Sequence, residues 1–317
     1  MNKNSKILIT GSSGMVGTEL QAQLKKKEYN NITSLSSKDI DLRIQKDVNE
    51  FFENNNFEYV FHLAAKVGGI KANMENPLDF LLDNLQINAN VISSCAKYKV
   101  KKLINFGSSC IYPRECVQPM KEEYLMTGKL EPTNEGYAFS KLASLKLCEY
   151  YNIQNGTNFI NLMPCNLFGE NDHFDSDKSH VISALISRFV NAVHTNAEKV
   201  VIWGTGNARR EFLYVKDVVD AMIYFMKSVD AKSVGSFVNI GYGKDISIKE
   251  LALLIKEITN YKGKIEFDTS KPEGMPKKLL DISKAKELGW EPKTRFGNAL
   301  KNVIISYVKY YEKKNII

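Results

Sequence analysis

No apolar run in this 317-residue chain approaches the roughly 18 residues that a membrane-spanning helix needs. The opening Met1-Asn2-Lys3-Asn4-Ser5-Lys6 also lacks the long apolar region and small-residue cleavage site of a secretory leader, so a cytoplasmic location is the expectation. There is no CxxC pair. The cysteines, Cys95, Cys110, Cys116, Cys148 and Cys165, are odd in number and without framework spacing. A disulfide scaffold and structural zinc are therefore not expected, nor any other metal, and most of these thiols read as packing residues. Internal repeats, low-complexity tracts and long linkers are missing too. The formal charge is +7, yet no compact Lys/Arg stripe with interleaved aromatics stands out. That argues against nucleic acid and suits a small anionic ligand such as a nucleotide diphosphate.

What is present is ordinary for a globular protein, 44% hydrophobic and 25% charged residues, with length for one large or two modest domains. The first half alternates apolar strands with amphipathic helices. Strands are expected at Lys6–Thr10, Ile32–Leu35, Tyr59–Leu63, Lys102–Phe106 and Asn158–Met163. Helices are expected near Met15–Lys27, Val48–Asn54, Pro77–Tyr98 and Tyr137–Gly156. This rhythm implies a parallel sheet covered on both faces. After Pro164 loops and polar segments appear, then a helix after Val215, a strand-like Phe237–Gly241 and a helix over Ser247–Thr259. The reading is α/β: a Rossmann-like doubly wound sheet over residues 1–165 plus about 212–232. A smaller interleaved substrate domain takes 166–211 plus 233–317.

Gly11-Ser12-Ser13-Gly14-Met15-Val16-Gly17 follows the first strand directly as G-x-x-G-x-x-G. Glycines there permit a tight turn and let backbone N–H groups approach a pyrophosphate at a helix N-terminus. That spacing resembles the short-chain dehydrogenase/reductase superfamily. Beyond the second strand lie Ser36, Ser37 and Lys38, with Asp39 after them. Hydroxyls plus a cation suit a 2′-phosphate, so NADPH is the expected cofactor, although an acidic residue at this place favours NADH.

Tyr137-Ala138-Phe139-Ser140-Lys141 is Y-x-x-x-K, which puts phenol and ammonium on one helix face. The ammonium is expected to lower the phenol's pKa towards working pH. A surface pair by chance is the alternative. The Ser-rich strand end Gly107-Ser108-Ser109-Cys110 lies about thirty residues upstream, and ligands bind at the carboxyl ends of strands in open α/β sheets. The superfamily resemblance implies that Ser108 bonds the keto oxygen, Tyr137 donates the proton and Lys141 holds the nicotinamide ribose.

The chain closely resembles the GDP-L-fucose synthase family, the GDP-4-keto-6-deoxymannose 3,5-epimerase-4-reductases. The matching segments run nearly end to end: GSSGMVG at Gly11–Gly17, HLAAKVGGI at His62–Ile70, GSSCIYP at Gly107–Pro113 and YAFSK at Tyr137–Lys141. They continue with MPCNLFGENDHF at Met163–Phe174, SHVISALISRF at Ser179–Phe189 and VIWGTGNARREFLYV at Val201–Val215. The last are VNIGYGKDISIKEL at Val238–Leu251 and FDTSKPEGMPKKLLD at Phe267–Asp281. The resemblance implies cofactor contacts from Gly11, Ser13, Gly14, Met15, Val16, Gly17, Ser37, Lys38, Leu63, Ala64, Ala65, Tyr137, Lys141 and His180. It makes Cys110 and His180 the epimerase acid/base pair, acting on protons acidified by the ketone. It places Asn166, Arg188, Trp203, Arg210 and Lys278 on the substrate; Trp203 filling core is the plainer alternative. Arg209 reads as a surface charge and Asp217 as a helix cap. A homodimer through the helices at Pro77–Tyr98 and Tyr137–Gly156 is also implied.

Two departures bear on the substrate. Pro164-Cys165-Asn166 stands where Pro-Thr-Asn is expected, and Arg114–Glu135, which should flank the sugar, diverges most. The expected activity is NADPH-dependent C4 reduction of a GDP-4-keto-6-deoxy-sugar, with 3,5-epimerisation first as in the family. A reductase-only enzyme on a GDP-4-keto-6-deoxy-heptose for a surface polysaccharide is the rival. A non-catalytic NADP-binding regulator would need a broken Ser/Tyr/Lys set, and the set is intact.

Overall fold

The computed structural model describes residues 1–174, 180–271 and 275–315. Strand β1 (Ile7–Thr10) is buried at every position, with no alternation. That is the pattern of a strand covered on both faces, hence of a parallel sheet. In chain order follow α1 (Met15–Lys26), β2 (Ile32–Leu35), α2 (Gln45–Asn55), β3 (Tyr59–His62), α3 (Ile70–Glu75), α4 (Pro77–Lys97) and β4 (Lys102–Phe106). Short turns of 3-10 helix at Ser109–Ile111, Glu122–Tyr124 and Pro132–Asn134 lead to α5 (Glu135–Asn155) and β5 (Phe159–Pro164). Then come β6 (Asn166–Phe168), α6 (Val181–His194), β7 (Lys199–Trp203), β8 (Arg209–Tyr214), α7 (Val215–Ser228) and α8 (Ala231–Val234). The rest is β9 (Val238–Ile240), β10 (Asp245–Ser247), α9 (Ile248–Ile258), β11 (Lys264–Asp268), β12 (Lys277–Lys278), α10 (Ser283–Glu287) and α11 (Phe296–Asn315).

The main sheet is parallel throughout, in the order β2-β1-β3-β4-β5-β9. The strand order reverses between β1 and β3, which opens a crevice at their carboxyl ends. A second layer pairs β10, β8 and β12, with β6 beside β8, and β7 pairs β11 separately. Helices α6, α9 and α11 pack against one another over this layer. Among the described residues no helix is long and apolar enough to cross a membrane.

The expected division of the chain needs one correction. Residues from 233 onward were assigned to the substrate part, yet β9 completes the main sheet against β5. It is only three residues, all buried, and its membership depends on pairing with a distant strand, which no local pattern records. Asp217 also differs from expectation. Tyr214 is the residue that opens α7. The Asp217 carboxylate instead accepts bonds from Lys293 N–H, Thr294 N–H and Thr294 Oγ, and so anchors the approach to α11. Parts of two matching segments, Ser179 and Pro272–Gly274, lie outside the described residues.

Candidate active site

The turn between β1 and α1 is built by its glycines in two different ways. Gly11 has φ +69°, and a Cβ there would lie 2.8 Å from Ala64 N. At Gly17 a Cβ would lie 2.4 Å from Gly11 O. These two positions need glycine for the turn and for helix–strand packing. Gly14 is different: its added Cβ meets nothing closer than 3.6 Å. Gly14 opens α1, no side chain caps the helix there, and the first turn carries no acidic residue. The Gly14 N–H closes the turn on Gly11 O at 3.3 Å; the orphan N–H groups at Met15 and Val16, with Ser13 exposed beside them, form an anion cradle of the kind that takes a pyrophosphate.

Just past β2 the carboxylate that would oppose a 2′-phosphate is engaged by its own turn. Asp39 Oδ2 accepts from Ser36 N–H at 2.8 Å and Ser36 Oγ at 2.7 Å. Those bonds hold the Asp39 carboxyl below its ordinary range. Ser37 and Lys38 stay exposed. Asp39 is exposed as well, so a phosphate monoester here would meet the Ser37 hydroxyl and the Lys38 ammonium with a carboxylate close by that is engaged by Ser36.

Strand β4 and helix α5 bring the reactive groups together. Gly107 passes against Met163, whose sulfur would lie 2.1 Å from any Cβ. Ser108 Oγ then accepts the Cys110 N–H at 3.3 Å. Lys141, only 3% exposed, donates to Phe106 O at 2.9 Å, and its Nζ sits 5.8 Å from the Tyr137 ring centroid. Desolvation pulls Lys141 down to about 8, opposed by Cys110. Burial pushes the Cys110 thiol up, while Lys278, Ser108 and Lys141 pull it back. Cys110 is thus the electrostatic centre of a cluster that holds Ser108, Tyr137, Lys141 and Lys278.

The expectation that Lys141 lowers the Tyr137 pKa is corrected. Burial pushes the phenol above its ordinary value and Cys110 adds to the rise. The Lys141 ammonium is spent on the Phe106 carbonyl instead. A phenol so placed stays protonated across the working range, which suits a donor of protons rather than an acceptor.

The expected substrate residues fall into two groups. Arg210 and Lys278 are register partners on β8 and β12, and Lys278 also faces Cys165 and Cys110. Arg210 Nη1 donates to Met275 O at 2.6 Å and Arg209 O at 2.8 Å. Asn166 Nδ2 donates to Glu211 O at 3.1 Å, so it belongs with this group. Further out, Trp203 is 55% exposed, which removes the core-filling alternative. The Arg188 guanidinium lies 5.9 Å from its ring centroid and Lys271 Nζ lies 5.8 Å away. His180 is exposed and opens α6. Arg209 is not a free surface charge: it pairs with Asp245 at 2.8 Å and Glu250 at 3.3 Å.

Sequence reasoning missed Glu211. This carboxyl is 1% exposed, accepts Gly243 N–H at 2.6 Å and Leu280 N–H at 2.9 Å, and is pushed up to about 7 by burial. It joins the end of β9 to the β12 strand that carries Lys278. Its place inside REFLYV gave no sign of this, because a lone acid in a strand normally reads as solvent-facing.

A glycine turn at the switch point of a parallel sheet, with serine, tyrosine and lysine gathered over the next strands, defines a dinucleotide-dependent enzyme of the short-chain dehydrogenase/reductase type. Within that class the chain belongs to the NAD dependent epimerase/dehydratase family, whose model matches residues 7–241. It is 44% identical to GDP-L-fucose synthase 1 from Arabidopsis thaliana, over 97% of this chain and 94% of that one. It is 42% identical to the GDP-L-fucose synthase of Escherichia coli (strain K12), over 90% and 91% of the two chains. Among solved structures, a GDP-mannoheptose C4 reductase from Campylobacter jejuni with NADP bound matches at TM-score 0.90 and 37% identity, over 97% and 99%.

Proposed function

We propose that this protein is an NADPH-dependent reductase of the 4-keto group of a GDP-4-keto-6-deoxy-sugar. The observation that carries the reading is the single cluster of Ser108, Cys110, Tyr137, Lys141 and Lys278 at the carboxyl edge of the sheet. The α1 turn would hold the pyrophosphate, Ser37 and Lys38 the 2′-phosphate, and Leu63–Ala65 the facing wall of the groove. When bound, the nicotinamide supplies the hydride that adds to C4. The Tyr137 O–H then gives its proton to the oxygen on C4, which becomes a hydroxyl. Ser108 bonds that oxygen as charge develops, and Lys141 holds the ribose.

Before reduction, Cys110 and His180 would exchange the protons at C3 and C5, one group removing and the other returning on the opposite face. Lys278 beside Cys110 favours the thiolate that such a step needs. Arg210, Lys278 and Asn166 would meet the inner part of the nucleotide sugar, and Arg188 with Trp203 the outer part. A reductase without epimerisation, acting on a seven-carbon GDP-sugar, is the second reading, favoured by the Campylobacter jejuni C4 reductase. A cytoplasmic homodimer completes the proposal. Leu78, Leu82, Phe139 and Tyr150 stand exposed on α4 and α5, the faces a second copy would cover.

The test uses purified protein, NADPH and GDP-4-keto-6-deoxy-D-mannose in D2O, with product read by NMR. Rapid NADPH oxidation with deuterium at C3 and C5 establishes the bifunctional enzyme. Oxidation without deuterium at either carbon leaves the reductase alone. No turnover of this hexose, with turnover of the heptose counterpart, moves the substrate to the second reading.

A further inference from the structure

An unbroken chain of buried hydrogen bonds runs from the phosphate turn to the helix that carries Tyr137 and Lys141. Thr10, fully buried at the end of β1, accepts the N–H groups of Leu63 and Ala64 on Oγ, each at 3.2 Å. Its own hydroxyl proton is then left for His62 Nδ1, 2.8 Å away. Nδ1 is therefore an acceptor, and the proton of a neutral His62 sits on Nε2. That N–H meets Asn88 Oδ1 at 3.0 Å. With its oxygen so used, Asn88 presents its amide nitrogen to Ser140 O on α5, 3.4 Å away. Ser140 Oγ donates in turn to Tyr137 O at 2.7 Å. Each donor fixes the next, so the tautomer and the amide orientation follow from the network itself.

His62 and Asn88 are each 2% exposed. Burying them costs desolvation that apolar residues would avoid, so the site gains something by their polarity. The gain is not a charge switch. Burial, with Lys141's charge adding to it, holds His62 down at about 3, so it stays neutral wherever the enzyme works. What the chain does supply is direction. Apolar contact lets a helix slide and turn on its neighbours. A bond to one carbonyl in the second turn of α5 does not.

We infer that His62 and Asn88 are positioning residues for hydride transfer. They set the rotation of α5 against the β1 and β3 ends, so that Lys141 and Tyr137 face the groove between Gly11 and Ala64. The inference rests on the proposed roles of Tyr137 and Lys141. A misplacement of about 1 Å at reacting groups can cost up to about a hundredfold in rate. The carbonyl that Asn88 holds belongs to the residue next to Lys141.

The test is Asn88→Leu, with Asn88→Ala made beside it in case the larger apolar variant does not fold; neither can donate to Ser140 O. Turnover is measured on the keto-sugar that the wild type reduces. The expectation is a fall in kcat of at least about tenfold, with NADPH affinity within twofold and a melting temperature lowered by a few degrees, because the buried His62 N–H loses its acceptor. Selectively labelled samples give a readout that needs no substrate. In the wild type NADPH should shift both the Ala64 amide and the Lys141 side-chain signals. In the variants the Ala64 response should persist and the Lys141 response collapse. An unchanged kcat with both shifts intact would overturn the inference. So would losses of kcat and NADPH affinity that track the unfolded fraction, since that is what a purely structural pair would give. A wild type that turns over no keto-sugar defeats the proposed activity, and the two shifts then decide the positioning role alone.

Discussion

Glu211→Gln should remove a pH dependence that the wild type carries in its fold. Glu211 is buried beside Gly241, where even a Cβ would lie 2.4 Å from its Oε1, and desolvation lifts its carboxyl from 4.5 to about 7 despite bonds from Leu280 and Gly243 N–H. A group whose folded pKa is raised holds its proton more tightly in the native state. Its contribution to stability is complete below the unfolded value, shrinks as pH climbs, and is lost as pH passes the folded value. A difference of roughly 2.5 units corresponds to about 3 kcal/mol in total, of which about 2.5 falls between pH 5 and pH 8. Glutamine keeps the shape and cannot titrate. It also lacks one acceptor for the two N–H groups, which costs about 1–3 kcal/mol at every pH. The variant should therefore be less stable than the wild type at pH 5 and should reach or overtake it by pH 8. Urea unfolding followed by tryptophan fluorescence at several pH values measures this directly. Parallel curves for the two proteins, with a constant offset, would refute the assigned proton on Glu211.

The two kinds of glycine in the phosphate turn should separate experimentally. Gly17→Ala drives a methyl to 2.4 Å from Gly11 O and should destabilise the fold by about 1–3 kcal/mol, seen as a lower melting temperature. Gly14→Ala has space in the protein itself, so the melting temperature should hold while NADPH binding weakens several-fold. Lys38→Ala should raise KM for NADPH about tenfold, the worth of one charge-assisted bond, and leave KM for NADH nearly unchanged. Equal effects on the two cofactors would remove Lys38 from the 2′-phosphate.

The parts of this molecule that sequence discloses are those set by short-range rules. A four-residue strand buried at every position, then glycines, then an amphipathic helix, can be read at Ile7–Lys26 without any partner in view. The helices at Pro77–Lys97 and Glu135–Asn155 fell within two residues of expectation for the same reason. The i, i+4 spacing of Tyr137 and Lys141 correctly put both on one face of α5, yet it misled about their electrostatics. Whether Lys141 spends its charge on a phenol or on the Phe106 carbonyl depends on how β4 packs beneath the helix.

What stayed hidden was decided by burial of polar groups, which residue type alone conceals. Glu211, Asp217, His62 and Asn88 all belong to types usually found at the surface or half exposed, and all four are buried here with partners far along the chain. Their common work is to join segments that the sheet does not itself connect. Glu211 ties the end of β9 to β12, Asp217 ties α7 to the start of α11, and His62 with Asn88 ties β1 and β3 to α5. The groups proposed to react lie just past β4 and on α5, with Lys278 of β12 beside them, so such a site needs rigid links between layers as much as it needs the residues that touch the substrate. Motif residues such as Ser108, Tyr137 and Lys141 announce the chemistry. The buried polar links decide whether that chemistry is held in register, and they can be read only once the fold has brought their partners together.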